Sequence, residues 1–283
     1  MLRWRKLLLV LHLLRGVLTC ALLFPWLGVP ARNTHIRRWS RRLLRLCGVE
    51  VQCIGEPPAQ GQGVMLVANH ISWLDIFVIH SCQPARFVAK SEIRRWPVVG
   101  WLCEKTGTLF IERGRKRDAH RVLHDLVACM RHGDQVCVFP EGTTSDGLTV
   151  LPFHANLMQA PVAGDLPVLP LGLRYRDAAS GAVTVAPAYI GEMSLLDSLD
   201  VILKAPPIRA ELAFGPRIDT RGFGRRSLAE LARDTVVCLC EGRGDEARQL
   251  VNDAQARQRS EPVAEAAAAA PATPSSPSSV APA

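Results

Sequence analysis

Five consecutive apolar residues, Val64 to Ala68, end abruptly in Asn69-His70 and lead into Ile71-Ser-Trp-Leu-Asp-Ile-Phe77. An uninterrupted apolar run of this length is the pattern of a strand buried on both faces. A strand that closes in a polar turn and enters a helix is the repeating unit of α/β folds. It gathers backbone amides and polar side chains at one edge of the sheet. His70 lies in that turn, and Asp75 follows five positions on. If the chain between them begins a helix, the carboxylate can fix the tautomer of the imidazole and stabilise its cation. Taken alone, the same two residues also suit a helix cap with a packing contact.

The unit recurs. Residues 86–90, 107–114, 135–139, 168–175 and 208–214 read as further strands, the fourth containing Pro170 and Gly172. Ala119, Val122, Leu123, Leu126, Val127 and Met130 fall at i, i+3, i+4, i+7, i+8 and i+11, which predicts an amphipathic helix stopped by Gly133. Residues 227–240 read as another helix. Residues 92–101, with Pro97 and Gly100, form at most a short broken one. Alternation of this kind predicts an α/β domain over 49–250, with a single mixed or parallel sheet flanked by helices. A length of 283 residues with 48% hydrophobic content accommodates one such domain with terminal additions. The segment 251–283 turns to Ala/Pro/Ser low complexity from Glu261 and is expected to be a disordered tail.

Residues 1–48 have a different character. Residues 7–29 are nearly all apolar, interrupted by His12 and Arg15 and broken by Pro25. Their length matches a bilayer core of roughly 30 Å. An arginine near the middle of a lone span costs about 2.5–3.5 kcal/mol, and no small-x-small cleavage pattern follows the run. Farther on, Ile36, Trp39, Leu43, Leu44, Leu46 and Cys47 share one helical arc, opposite Arg37, Arg38, Arg41, Arg42 and Arg45. No acidic residue precedes Glu50, so this region supplies the whole net charge of +8. A basic amphipathic helix with a tryptophan suits an anionic membrane interface; a core-packing helix with a solvated arginine face is the alternative. The expectation is a membrane-associated helical region, as a span, a re-entrant hairpin or an interfacial helix pair. No aromatic-lined sheet or recognition motif accompanies the arginines, which argues against nucleic acid. The nine cysteines show no paired CxxC units, and Cys238-Leu-Cys240 lacks companions at zinc spacing. Neither a metal nor a disulfide is expected, and reduced thiols point to the cytoplasmic side.

Three charged turns each follow an apolar strand: Asn69-His70 with Asp75, Glu112-Arg113-Gly114, and Pro140-Glu141-Gly142-Thr143-Thr144-Ser145. Parallel strands would gather them at one edge, giving a base with its carboxylate, a cation, and hydroxyls beside backbone amides. Such a pocket suits an anionic, hydroxyl-bearing ligand such as a glycerol phosphate.

These motifs resemble those of the 1-acylglycerol-3-phosphate acyltransferase (PlsC-like) family of lysophospholipid acyltransferases, over residues 64–175. NHxSxxD is matched by residues 69–75, the aromatic-hydrophobic-acidic-Arg turn by 110–113, FPEGTxS by 139–145, and a hydrophobic-Pro strand by Leu169-Pro170. The resemblance implies that His70 is the general base and that Asp75 holds it. It implies that Arg113, Glu141 and Gly142 bind the acceptor's polar head, with Asn69, Ser72, Thr143, Thr144 and Ser145 also on the substrate side. Pro170 would shape the acyl-donor side. The implied reaction takes an acyl group from acyl-CoA or an acyl carrier protein to a lysophospholipid hydroxyl, most simply that of 1-acylglycerol-3-phosphate. It needs no cofactor or acyl-enzyme, and is placed at the cytoplasmic face of the inner membrane. Where the family often has Phe-Lys-x-Gly, this chain has Phe153-His154-Ala155-Asn156, and residues 145–153 resemble the branch that makes ornithine lipids. Lyso-ornithine lipid is therefore an alternative acceptor. A non-catalytic lipid-binding protein and a thioester hydrolase are readings of other classes.

Overall fold

The computed structural model describes residues 2–111 and 116–268. In chain order these form α1 (Leu2–Leu22), α2 (Val29–Leu46), β1 (Val49–Ile54), β2 (Val64–Ala68), α3 (Leu74–Cys82), β3 (Arg86–Lys90), α4 (Val99–Lys105) and β4 (Leu109–Ile111). There follow α5 (Lys116–Arg131), β5 (Gln135–Val138), α6 (Gln159–Gly164), β6 (Val168–Asp177), α7 (Leu195–Lys204), β7 (Ile208–Phe214), α8 (Arg225–Cys240) and α9 (Gly244–Ala268). The strands make one sheet in the order β1-β7-β6-β2-β5-β3-β4. From β6 to β4 neighbouring strands are parallel; β7 runs antiparallel to β6, and β1 parallel to β7. The expected mixed α/β sheet is thus present.

β2 lies in the middle of the sheet and is buried along its whole length, which is why its sequence shows no alternation. Its side chains still point alternately. Leu66 and Ala68 pack with Leu44 of α2, Val78 of α3 and Ile202 of α7. Met65 and Val67 pack on the other face with Leu126 of α5, Ala160 of α6 and Leu228 of α8. Each large side chain buried in this way contributes roughly 1.5–3 kcal/mol. β2, β5 and β4 all end at the same edge. The chain leaves that edge through the turns at residues 69–73 and 139–145, and after Ile111. Gly215 donates a 2.9 Å bond to the Pro170 carbonyl. The ladder with β7 closes there, where proline has no N–H to return.

The two N-terminal helices divide the roles expected of residues 1–48. The apolar arc of α2 is turned into the domain: Ser40, Leu43 and Leu44 are buried, and Arg41 Nε donates to the Ser81 carbonyl of α3 at 2.8 Å. The interfacial reading of that arc gives way to the core-packing one. α1 lies on α2 through Leu9, His12 and Gly16, with Cys20 also buried, and His12 and Trp39 stack with ring centroids 4.6 Å apart. His12, an interruption in the sequence, is an inward residue in the fold. The outer face of α1 leaves Val10, Leu11, Leu14, Leu18 and Leu22 exposed. The helical stretch Leu2–Trp26 is long and apolar enough to cross a membrane.

Two further expectations change. Cys53 of β1 and Cys82 at the end of α3 form a disulfide; their separation of 29 residues matches no spacing rule, and only the packing of α3 beside β1 brings them together. α9 continues past residue 250, where the sequence placed the start of the tail, and Ala247 and Val251 are buried. Residues 269–283 lie outside the described residues.

Candidate active site

The turn after β2 is built around one buried carboxylate. Asp75, in the first turn of α3, is fully buried. Its Oδ2 accepts from the backbone N–H groups of Ile71 and Ser72 at 2.7 and 2.9 Å, and from His70 Nδ1 at 2.8 Å. Its Oδ1 accepts from the Tyr175 hydroxyl of β6 at 2.8 Å. A buried charge needs such donors to be tolerated. A proton on Nδ1, facing Asp75, leaves the lone pair of His70 on Nε2, the nitrogen with no protein partner among the described residues. The imidazole stacks on Phe139, with centroids 4.0 Å apart, and its side chain is 20% exposed. The ring is fixed yet reachable.

The turn after β5 is stitched to the His70 peptide from both sides. His70 N–H donates to Glu141 Oε1 at 2.9 Å. The His70 carbonyl accepts from the Ser145 N–H at 2.8 Å and the Ser145 hydroxyl at 3.2 Å. Gly142 takes a positive φ of 70°, which suits a residue with no Cβ. Burial pushes the Glu141 carboxyl up to about 7, against the N–H groups of His70 and Leu151, which favour its charged form. The Tyr175 phenol is pushed well up by burial and by the adjacent Asp75 charge, so it stays a hydroxyl and donates.

Several residues expected on the substrate side have partners within this frame. The Asn69 side chain donates to the Leu173 carbonyl and accepts from the Leu173 N–H, at 2.9 and 2.8 Å. Ser72 is buried, and its hydroxyl accepts from Leu74 N–H at 3.2 Å. The Thr144 hydroxyl donates to the Tyr189 carbonyl. Thr143 is exposed, and Pro170 is buried in β6 beside Val67. Glu112, Arg113 and Gly114 lie outside the described residues. Tyr175 is the participant that sequence reasoning missed. A tyrosine between Arg174 and Arg176, on the buried alternation of β6, was the signal, but its partner lies 100 residues away.

A separate cleft of about 670 Å³ opens between α1 and α2, lined by His12, Arg15, His35, Arg38, Arg42 and Arg45 among others. No carboxylate lies among its lining residues.

Known proteins resemble this chain in sequence and in fold. The sequence profile of the family described as Acyltransferase matches residues 50–174. A lyso-ornithine lipid O-acyltransferase from Pseudomonas aeruginosa is 34% identical over 207 residues, 73% of this chain and 78% of that protein. A 1-acyl-sn-glycerol-3-phosphate acyltransferase from Neisseria gonorrhoeae is 41% identical over 164 residues, 57% of this chain and 64% of that one. The crystal structure of the 1-acyl-sn-glycerophosphate acyltransferase PlsC from Thermotoga maritima shares the fold, with a TM-score of 0.60 at 21% identity, covering 86% of this chain and 97% of that one. The profile takes in β2 and the turns after β2 and β5, and the similarity to a relative carries on through most of its length: the chain belongs to the acyltransferase family.

Proposed function

We propose that the protein transfers an acyl group from a thioester to the free hydroxyl of a lysolipid, with 1-acylglycerol-3-phosphate as acceptor and phosphatidic acid as product. The observation that carries this reading is the 2.8 Å bond from His70 Nδ1 to a buried, fully satisfied Asp75. It leaves Nε2 as a base beside a partly open surface. Nε2 takes the proton of the acceptor hydroxyl as its oxygen attacks the thioester carbonyl carbon. The tetrahedral oxyanion collapses, the carbon–sulfur bond breaks, and the imidazolium returns its proton to the thiolate. Asp75 stabilises the transient cation throughout. Glu141 and Gly142, at the His70 peptide, and Arg113 stand on the acceptor's side in this scheme. Acyl-CoA or an acyl carrier protein serves as donor.

The substrates are amphiphilic, and the exposed leucines of α1 support a membrane-bound enzyme. The arginine-lined cleft beside them supports an anionic lipid surface. A thioester donor would be met on the cytoplasmic face, and that supports this side of the membrane even though the Cys53–Cys82 disulfide removes the reduced-thiol argument for it. Lyso-ornithine lipid is the second reading for the acceptor. It is favoured by the longer match to the Pseudomonas aeruginosa relative and by His154, which stands where a phosphate-binding lysine is usual.

An assay of purified protein against 1-acylglycerol-3-phosphate, lyso-ornithine lipid and other lysolipids, with both donors, decides the acceptor. Phosphatidic acid formed at the highest kcat/KM is the expected result. Preference for lyso-ornithine lipid moves the assignment to the second reading. Thioester loss without any new lipid ester contradicts acyl transfer.

A further inference from the structure

β6 reaches across β2 to hold both flanks of His70. The Leu173 backbone clamps Asn69, the residue before the histidine, through the paired bonds described above. Two positions farther along the strand, and therefore on the same face of the sheet, Tyr175 reaches Asp75. Tyr175 is 1% exposed and packs in the cluster that includes Leu44, Leu74 and Ile208, so the ring has no freedom to swing away. Its hydroxyl is the only hydrogen bond that Asp75 Oδ1 receives among the described residues; the other three donors all meet Oδ2.

We infer that Tyr175 is a positioning residue for the His70–Asp75 pair, acting on the reaction solely through the aspartate. The inference rests on the acyl-transfer reading above. Two effects follow from the geometry. The hydroxyl locks the rotation of the carboxylate, so that Oδ2 stays in line with His70 Nδ1. It also draws negative charge toward Oδ1, away from the imidazole, and so tempers the stabilisation that Asp75 gives to the imidazolium. Without it, the carboxylate is looser and its charge is concentrated on the histidine side.

The test is Tyr175→Phe in the full-length enzyme, which keeps the ring and removes only the hydroxyl. A hydrogen bond to a charged group, once lost, corresponds to about a ten- to hundred-fold effect. The expected result is a fall of that size in kcat with acceptor KM changed less than about three-fold. The acid limb of the kcat/KM profile, compared between wild type and variant so that the Glu141 carboxyl beside the His70 peptide contributes equally to both, should move to higher pH, because the imidazolium is better stabilised. A purely structural role lowers the active fraction without moving that limb.

A double-mutant cycle gives a second readout. In an Asp75→Asn background, adding Tyr175→Phe should change kcat less than about two-fold. Should Tyr175→Phe fail to fold, 3-fluorotyrosine at position 175 decides: it retains the hydroxyl as a stronger donor and should shift the acid limb the opposite way. An unmoved acid limb, or full additivity with Asp75→Asn, overturns the inference. If His70→Ala and Asp75→Asn are themselves fully active, the acyl-transfer mechanism fails. If those two are impaired while Tyr175→Phe matches wild type in rate and profile, only the role of Tyr175 fails.

Discussion

At the scale of single residues, Glu141 couples the turn after β5 to the histidine peptide at a price in pH sensitivity. Its ordinary value of 4.5 is raised to about 7 by burial. Between those values the folded protein holds a proton that the unfolded chain has released. Stability linked to that proton is complete below about pH 4.5 and is lost as pH rises to about 7. The full swing is about 3 kcal/mol. Glu141→Gln, which still offers an oxygen to the His70 N–H, should flatten this slope. Urea midpoints taken from pH 4.5 to 8 measure it, and an unchanged slope would show that Glu141 is not its source. The pairing of His70 with Asp75 was readable from sequence, because Asn69-His70 closes an apolar strand and Asp75 follows in the first turn of the next helix; the bond from the His70 peptide to Glu141 was not, because it joins two different turns. Tyr175 was not readable in the same way, because nothing in the residues around it points to a carboxylate on another element.

At the scale of elements, the close approach of α8 to β6 depends on Gly172. A Cβ there would lie 2.5 Å from the Cβ of Leu239 and 3.0 Å from the backbone nitrogen of Cys240. Gly172→Ala should therefore force α8 outward and lower stability by about 1–3 kcal/mol. It should also disturb Asn69, whose Oδ1 is 3.7 Å from Cys240 Sγ. A thermal midpoint equal to wild type would contradict that packing account. The strands β2, β3 and β7 were legible to the residue: β2 is an unbroken apolar run, β3 has apolar residues between Arg86 and Lys90, and β7 alternates apolar residues with Arg209 and Glu211. β1 was missed because Val49-Glu-Val-Gln-Cys-Ile54 is an edge strand with only Val49 buried. α9 was missed as a packed element because Ala247 and Val251 are small, sparse contacts in a helix otherwise rich in Arg, Gln and Asp. For α2 the period was right, but an amphipathic arc does not say whether lipid or protein covers it; α3 does.

At the scale of the whole molecule, the exposed apolar face of α1 and the buried arc of α2 call for different tests. α2 belongs to the core through Leu43 and Leu44, so removing residues 1–48 would expose the domain as well as delete α1. Substitution on α1 is the cleaner probe. Leu11, Leu14 and Leu18 are all about half exposed, so changing the three to Gln should leave the fold intact. Their apolar transfer, at roughly 1.5–3 kcal/mol each when fully buried, should be lost. Flotation with anionic vesicles should fall by about a hundred-fold or more, and undiminished flotation would remove α1 from the membrane contact. The central claim concerns His70, and a side-by-side assay of purified wild type and His70→Ala, with acyl-CoA and 1-acylglycerol-3-phosphate, tests it most directly. The account predicts phosphatidic acid from wild type and a kcat lowered about 10²–10⁴-fold in the variant, with an unchanged thermal midpoint; transfer by His70→Ala at the wild-type rate would contradict it.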